Sequence, residues 1–507
     1  DYGGASDKWT NLTYYVNAAY NFQNKYFLNF ATALEASSRF GAEAKEGIKL
    51  AGVKWGIFPS LQAGWLMSSE KWFKVSFINY LKLTAGYEES GNDDINYYAS
   101  RTYFRNAKFL DKATSLVLDN IANPTIQWET TRKFNVGLET NMFKDRLNLG
   151  VNFYKAKTSN LLTLKSVSDI TGLATMWGND GALSNTGVDF NLNAVLVNRG
   201  AWKWQAGFTI GHYKNEITQL PTSELNYIKT YALNADGSKD MASEKLIHGQ
   251  LASIYGQNNI LTAVGAPVGV FYGYKVVASP ANAVFATDAE AAAAGKYGYL
   301  RYPTGLKENP YRNFKAGDVH FVDQNGDGWI NEADMVQIGD PNPDLYGNIF
   351  TSLSWKNLTL DVVFKYSLGN DIFNYQRSQL ESLNNIMNQT TAAVNRWRYE
   401  GQLTDVPRAM AVTNDAWVNN ERFSDRWIED GSFLKMKKVR LTYKVPVQLS
   451  WLQGLSIWGE ANNVFTLTKY LGQDPEVSVA NGVLFQGIDS GMLPQSLNFN
   501  FGVNINL

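Results

Sequence analysis

The chain has 507 residues, of which 45% are hydrophobic, 46 are basic, 47 are acidic and none is cysteine. It contains no run of about 18 apolar residues, which excludes a transmembrane helix. Basic and acidic residues balance, so the chain lacks the excess of basic residues that is typical of a nucleic-acid-binding protein. The absence of cysteine excludes thiol catalysis and cysteine-ligated metals.

Apolar and polar residues alternate along thirteen segments, which is the pattern of a β-strand whose successive side chains point to opposite faces. In chain order the predicted strands are 8–22, 26–38, 54–67, 77–89, 128–142, 146–157, 183–197, 202–214, 345–355, 358–368, 433–445, 455–467 and 495–507. The apolar residues of the last strand all share one face: Leu497, Phe499, Phe501, Val503, Ile505 and Leu507. Its other face carries serine, glycine and asparagine, so one side suits lipid and the other a wet interior.

Short and long connections alternate between these strands. The short ones are 23–25, 68–76, 143–145, 198–201, 356–357 and 446–454, and the long ones are 39–53, 90–127, 158–182, 215–344, 369–432 and 468–494. An antiparallel meander then puts every short turn on one side and every long loop on the other. Transmembrane β-barrels show this asymmetry, with short periplasmic turns and long extracellular loops, whereas a soluble sandwich has no reason for it.

The sequence therefore predicts an all-β protein that forms an antiparallel transmembrane β-barrel in a bacterial outer membrane, surrounded by outer-membrane lipids. Leu507 ends on the periplasmic side, and counting back thirteen strands puts Asp1 on the extracellular side. Bacterial single-chain barrels usually have an even number of strands. We therefore expect residues 1–507 to be the C-terminal part of a larger barrel, with 215–344 as a long extracellular loop.

A calcium-loop pattern lies within 215–344. Its side-chain oxygens come from Asp323, Asn325, Asp327, Asn331 and Asp334, and Trp329 offers a backbone carbonyl at the seventh position. This spacing can supply the oxygens that Ca²⁺ needs around a tight turn. The alternative is that Asn-Gly-Asp-Gly is ordinary turn chemistry. We predict a structural Ca²⁺ that rigidifies the extracellular loop.

Other candidate residues are weaker. His212 with Asp189 would be the start of a hydrolytic site, but no motif supports one, so we predict no catalytic residue and no enzymatic activity. Aromatic and cationic residues of the 369–432 loop can stack on sugars or peptides, although packing within the loop explains each of them as well. They are Trp397, Arg398, Trp417 and Trp427. The sequence assigns no residue to substrate binding.

Several segments in order along the chain resemble SusC/RagA-type TonB-dependent transporters of Bacteroidota. They are Trp55–Ser60 with Gly64-Trp65, Trp128–Thr131, Phe271–Tyr274, Gly317-Asp318 leading into the 323–334 loop, Arg396-Trp397, Asp405–Arg408, Ser424–Lys435, Thr468–Tyr470 and Asp474–Glu476.

The resemblance implies a barrel of about 22 strands, with an N-terminal plug domain and TonB box that are absent from this chain. It also implies a SusD-like surface lipoprotein that covers the extracellular loops as a lid. Import of a glycan or a peptide would then be driven by TonB. Two alternatives from other classes are a passive diffusion porin and a barrel-borne hydrolase or surface-binding protein.

Overall fold

The computed structural model describes residues 7–109, 113–173, 175–222, 227–256, 259–278, 282–384, 386–410, 420–447, 451–476, 478–479 and 482–506. Within these ranges, none of the helices has the length and apolar character needed to cross a membrane.

A large antiparallel sheet of fourteen strands dominates the fold, and one short strand, Ile48–Leu50, lies off its main path. The thirteen strands that remain pair strictly in chain order, each antiparallel to the next. They are β1 (Asn11–Phe22), β2 (Tyr26–Ser37), β3 (Val53–Leu66), β4 (Ile78–Asn92), β5 (Glu129–Met142), β6 (Leu147–Ser166), β7 (Thr175–Arg199), β8 (Trp202–Gln219), β9 (Leu345–Trp355), β10 (Leu358–Leu368), β11 (Phe433–Val445), β12 (Gly454–Thr468) and β13 (Asn498–Asn506). We call these thirteen strands the wall. All thirteen predicted strands are confirmed; Leu507 lies outside the described residues.

One predicted loop was wrong. Strands β6 and β7 have 20 and 25 residues, and they remain paired through most of 158–182, as far as Thr175 opposite Ser166. Crossing a membrane takes only about 9–11 residues, so this hairpin continues beyond the lipid. Its outer part is rich in serine, threonine, asparagine and glycine because no lipid requires an apolar face there, and the alternation that reveals the other strands is lost.

The register of the wall separates an apolar outer face from a polar inner face. Phe208, Ile349, Phe364, Met436 and Phe465 lie side by side in one outer row across β8 to β12. At the end of the sheet, four alternate residues of β13 are more than half exposed: Phe499, Phe501, Val503 and Ile505. The predicted alternation is therefore confirmed, and it gives the wall the lipid-facing surface of a membrane barrel.

Aromatic side chains gather at the short-turn end of the wall. Trp202 and Trp355 contact each other across β8 and β9 in a tilted arrangement, with ring centroids 5.9 Å apart. Phe77 and Phe143 stack beside the β4 and β5 ends at 5.7 Å. Such rings form the girdles that flank the apolar band of outer-membrane barrels, so this end lies at the periplasmic membrane surface.

The long connections carry their own secondary structure. Strands Tyr103–Phe109 and Ala113–Asn120 pair, as do Arg301–Pro303 and Tyr311–Asn313. A five-stranded sheet contains Tyr227–Thr230, Lys245–Ala252, Ile260–Ala263, Val270–Gly273 and Val336–Gly339, and a three-stranded sheet contains Asp371–Asn374, Ile428–Asp430 and Ile488–Asp489. The α-helices are Asp288–Ala294 and Tyr375–Leu380. Short 3-10 helices span Met67–Ser69, Asp169–Thr171, Met241–Ser243, Glu332–Asp334, Thr391–Asn395, Asp425–Trp427 and Val483–Phe485.

Candidate transport site: the inner wall face and the extracellular loops

The inner face of the wall is lined by amides, hydroxyls and charged side chains. Between β6 and β7, Asn152 lies opposite Asp189, and Asn148 lies opposite Asn193. Farther round the sheet, Arg440 lies 3.8 Å from Glu460 and its guanidinium stacks 4.0 Å from the Trp458 ring centroid. A polar surface of this kind can hydrogen-bond a hydrated cargo and still stay wet.

Tyrosine rings lie flat against this inner face where glycine leaves room. A Cβ at Gly187 would lie 2.5 Å from the ring of Tyr154, and one at Gly211 would lie 2.5 Å from the ring of Tyr346. Tyr213 lies next to Tyr346, with ring centroids 5.9 Å apart. We call Tyr154, Tyr213 and Tyr346 the tyrosine band.

No local sequence pattern indicates the tyrosine band, which was not predicted. The glycines and tyrosines come from four different strands, so only the register brings them together. Flat aromatic rings beside the Asp189 carboxylate and the inner-face amides can stack on a sugar or a peptide plane while polar groups bind its edges.

A buried ion cluster anchors the last long loop to the wall. Lys435 is 2% exposed and Asp474 is 4% exposed. The Lys435 ammonium lies 2.9 Å from Asp474 Oδ2 and 2.7 Å from Glu476 Oε2, and Lys365 lies 2.7 Å from Glu476 Oε1. Asp474 Oδ2 also accepts the backbone N–H of Gln495 at 3.1 Å. These contacts hold Asp474, Glu476 and Gln495 of the last loop against the extracellular ends of β10 and β11.

The lysines also fix the charge state of this cluster. Burial by itself would raise the pKa of Glu476, but hydrogen bonds from Lys365 and Lys435 outweigh it and lower that pKa from 4.5 to about 2. The carboxylate is therefore ionised at neutral pH and holds the loop through charge-assisted hydrogen bonds.

Three long loops share one hydrophobic core. Ile260 and Phe271 come from 215–344, Phe373 and Trp427 come from 369–432, and Ile488 comes from 468–494. Phe373 also pairs with Ile488 in a parallel β-bridge. We call this core of the three loops the cap. Because its parts are packed on one another, the cap is one folded unit above the wall.

A buried carboxylate joins two of these loops a second time. Asp318 is fully buried, and its Oδ1 accepts hydrogen bonds from Arg408 Nε at 2.7 Å and from Asn420 Nδ2 at 3.1 Å. Its Oδ2 accepts the backbone N–H of Lys315 at 2.8 Å. A buried charge is stable only when it is paired and hydrogen-bonded in this way.

The candidate calcium loop is a compact turn in which the carboxylates bind backbone N–H groups. Asp323 accepts from Gly326 and Gly328 at 2.7 and 2.8 Å, and Asp334 accepts from Gln324 and Asn331, both at 2.9 Å. Asp327 Oδ1 accepts from the backbone N–H of Trp329 at 2.8 Å. Burial, together with the charges of Asp323 and Asp327, raises the pKa of Asp334 to about 7.

These neighbouring carboxylates are chemically able to bind a cation. Each oxygen that accepts an N–H has a second lone pair, which can coordinate the ion. The side-chain oxygens of Asn325 and Asn331 accept hydrogen bonds from the backbone N–H groups of Asp327 and Ala333, respectively. Across the ranges that the structure describes, no group of three or more acidic or histidine side chains is arranged to hold a metal ion. Ca²⁺ binding by Asp323, Asn325, Asp327, Trp329, Asn331 and Asp334 therefore stays a prediction.

Among the residues that the structure describes, the remaining candidates do not form a site. Trp427 is 2% exposed and belongs to the cap, while Trp397 is half-buried and donates to the Ala286 carbonyl at 3.3 Å. Trp417 lies outside the described residues. Val188 is opposite His212 and Asp189 is opposite Gly211, so Asp189 and His212 point to opposite faces of the sheet. Asp189 cannot orient His212 as a base.

A family model described as "TonB dependent receptor-like, beta-barrel" matches residues 2–297, more than half of the chain. The chain belongs to this family. As a TonB-dependent receptor barrel it is an outer-membrane protein, and the predicted fold class and location are confirmed.

Relatives of this TonB-dependent receptor barrel cover nearly all of it. TonB-dependent receptor P3 of Formosa agariphila is 27% identical over 498 residues, which are 96% of this chain and 44% of that protein. TonB-dependent receptor SusC of Bacteroides thetaiotaomicron is 24% identical over 513 residues, 98% of this chain and 44% of that protein. The fold matches a chain in the structure of the RagAB peptide transporter with a TM-score of 0.74 at 22% identity, over 98% of this chain and 48% of that one. The resemblance to SusC/RagA-type proteins is confirmed, and the chain spans about half the length of these relatives.

Most of the segments that carry the family resemblance make buried packing contacts between parts of the fold. Trp128 is 4% exposed and packs on Phe40, with ring centroids 4.4 Å apart. Asp318, Trp427 and Lys435 are the buried centres of the contacts described above. These motif residues therefore join the extracellular loops to one another and to the wall, whereas the tyrosine band lies outside the motifs.

Proposed function

We propose that this chain forms the C-terminal wall and the extracellular cap of an energised importer of a bulky nutrient, either a glycan or a peptide. The observation that carries the proposal is a single folded cap, built from three loops, above a wall with a polar, tyrosine-bearing inner face. In this proposal TonB supplies the energy through an N-terminal region, and a SusD-like lipoprotein binds the cap as a lid.

The direction of the strands supports a larger barrel. Successive wall strands are antiparallel, so β1 and the thirteenth strand run the same way and cannot close on each other with antiparallel pairing. All-antiparallel closure takes an odd number of further strands. A barrel of about 22 strands needs about nine, which agrees with this geometry.

The tyrosine band gives a test of the cargo. A strain that lacks the gene would be complemented with the wild-type protein or with Tyr154→Ala combined with Tyr346→Ala. Growth would be measured on single glycans and on peptides as sole carbon source. The control is Tyr443→Ala, because Tyr443 is 40% exposed and faces lipid. We expect the double variant to slow growth on one cargo class only, and unchanged growth on every source would refute a role for the band in cargo binding.

The lid proposal has a separate test. Co-purification from outer membranes should recover a lipoprotein with the wild-type protein but less of it when Phe373→Ala loosens the cap. Lys444→Ala, at the periplasmic end of its strand, is the control. Equal recovery with all three proteins would refute docking on the cap.

A passive porin is the alternative function. It predicts that uptake continues in a strain that lacks TonB, whereas the importer predicts that uptake stops there. The hydrolase alternative has no support in the described residues, since Asp189 and His212 lie on opposite faces of the sheet.

We also propose that the 323–334 loop takes up a structural Ca²⁺. Support comes from the oxygen spacing and from the proximity of the carboxylates: burial and the charge of Asp323 raise the pKa of Asp327, and burial with the charges of Asp323 and Asp327 raises the pKa of Asp334. The ion would be held by carboxylate and amide oxygens and would stiffen the loop without taking part in transport.

A further inference from the structure

An open apolar groove of about 820 Å³ crosses the outer face of the wall at its long-loop end. Ile210, Tyr366, Leu434 and Leu467 line it and lie in one row of the register across β8 to β12. Ile349, one row nearer the periplasm, lines it as well. Since residues opposite each other on neighbouring strands point to the same face, the groove is continuous with the lipid-facing surface.

A glycine creates the hollow. Gly347 lies between Ile210 and Tyr366 in that row, and a Cβ there would come within 2.0 Å of the Thr209 carbonyl oxygen. The ring of Tyr366 lies across the gap, and its hydroxyl donates to that carbonyl at 2.8 Å. The hydroxyl is satisfied by the backbone, so Tyr366 offers the groove an apolar ring.

The extracellular edge of the groove is polar. Asp430, Ser432, Thr468 and Lys469 line it there, where β11 begins and β12 ends. Asp430 Oδ1 accepts the Ser432 N–H at 2.9 Å, and the Thr468 hydroxyl donates to the Ser432 carbonyl at 2.8 Å. Lys469 is exposed and brings an ammonium group to the level at which the outer-leaflet headgroups lie.

We propose that this groove is a binding site for one lipid of the outer leaflet, a phosphorylated lipid with long acyl chains. An acyl chain would lie against Ile210, Ile349 and Leu434, and the phosphate would pair with Lys469. Two observations select this occupant: the groove continues the surface that contacts membrane lipid, and its polar edge offers an exposed ammonium, that of Lys469, to a phosphate. The edge also carries the Asp430 carboxylate, which accepts the Ser432 N–H, so the pairing with a phosphate is assigned to Lys469 alone. The site is independent of the cargo and of the lid.

Lipid retention by the complete protein, purified from outer membranes, tests the proposal. The protein would be placed in phosphatidylcholine nanodiscs with and without lipid A, and bound lipid would be counted by native mass spectrometry. We expect Lys469→Gln to reduce lipid A retention about fivefold, the equivalent of the roughly 1 kcal/mol that one basic residue contributes near an anionic headgroup. Lys356→Gln, at a periplasmic turn, should leave it unchanged.

A second pair of variants tests the acyl part of the site. Ile349→Trp projects into the groove and should abolish retention, while Leu360→Trp, on the same lipid-facing side but outside the groove, should not. Equal retention of lipid A by wild type, Lys469→Gln and Ile349→Trp would mean ordinary annular lipid and would overturn the proposal. Displacement of lipid A by inorganic phosphate would overturn it too, because an anion alone would then account for binding. The exposed Lys469 variant keeps the test decisive even if the Ile349 variant fails to fold.

Discussion

Replacing Lys435 by alanine should release the last long loop from the wall. The side chain is 2% exposed and contacts both Asp474 and Glu476. Its loss leaves Asp474 buried with only backbone N–H partners, whereas Glu476 keeps Lys365 at 2.7 Å. Removing one partner of a buried ion pair costs about 3–5 kcal/mol. We expect the lower end, about 3 kcal/mol, because one of the two carboxylates keeps a lysine.

Losing this much of the free energy that holds the loop against the wall raises the population of the open loop about a hundredfold, since each 1.36 kcal/mol is a factor of ten. Hydrogen exchange of the backbone N–H groups in 474–495 measures it directly, while the wall strands should keep their protection. The control for the position is Lys444→Ala, at the other end of β11. The control for the mechanism is Lys435→Met with Asp474→Leu, which should restore most of the protection because an apolar pair replaces the ionic one. Unchanged exchange in Lys435→Ala would refute the view that this cluster anchors the loop.

Three further predictions follow from the wall and the loops. Phe501 faces lipid near the middle of β13, and Phe501→Arg should lower the free energy of unfolding in vesicles by about 2–4 kcal/mol. Asn500→Arg, on the inner face, should have little effect. Equal losses would mean that the two faces are assigned the wrong way round. Protease cleavage within 215–344 should increase when Ca²⁺ is removed or when Asp323 and Asp327 are replaced by alanine, and the wall should stay folded. Cleavage that does not respond to the metal would exclude the calcium site. Because the folded-state pKa of Glu476 is about 2, below its ordinary 4.5, its contribution is complete above pH 4.5 and is lost as the pH falls towards 2. The protection factors of the backbone N–H groups in 474–495, which compare their exchange with that of an unstructured chain at the same pH, should fall in that window. A flat profile of protection factors would contradict the ionised state of Glu476.

The wall could be predicted from the sequence because lipid on one side and water on the other impose a two-residue period on each strand. The period is clear in β13, from Asn498 to Asn506, and it fails in 158–182, where the hairpin has left the lipid and packs through Leu162 and Trp177 on another extracellular loop. Short turns were equally predictable, since the strands on either side of them are unambiguous.

The candidate site was less accessible to sequence reasoning. Phe271, Phe373 and Ile488 meet in the cap although they are far apart in the chain, and no local pattern indicates such a contact. Tyr154 and Gly187 form a pair only because β6 and β7 have one particular register. The 323–334 turn could be predicted because its residues are adjacent in the chain.

The common core of the cap has a consequence for how the surface of this protein can vary. Extracellular segments of bacterial barrels are exposed to phages and antibodies, and separate loops can be exchanged one by one to escape them. Here a replacement for 369–432 must still fill the space around Phe271 and Ile488, which belong to two other segments. Antigenic variation should therefore exchange all three segments as one cassette, or be confined to exposed tips such as Ile386.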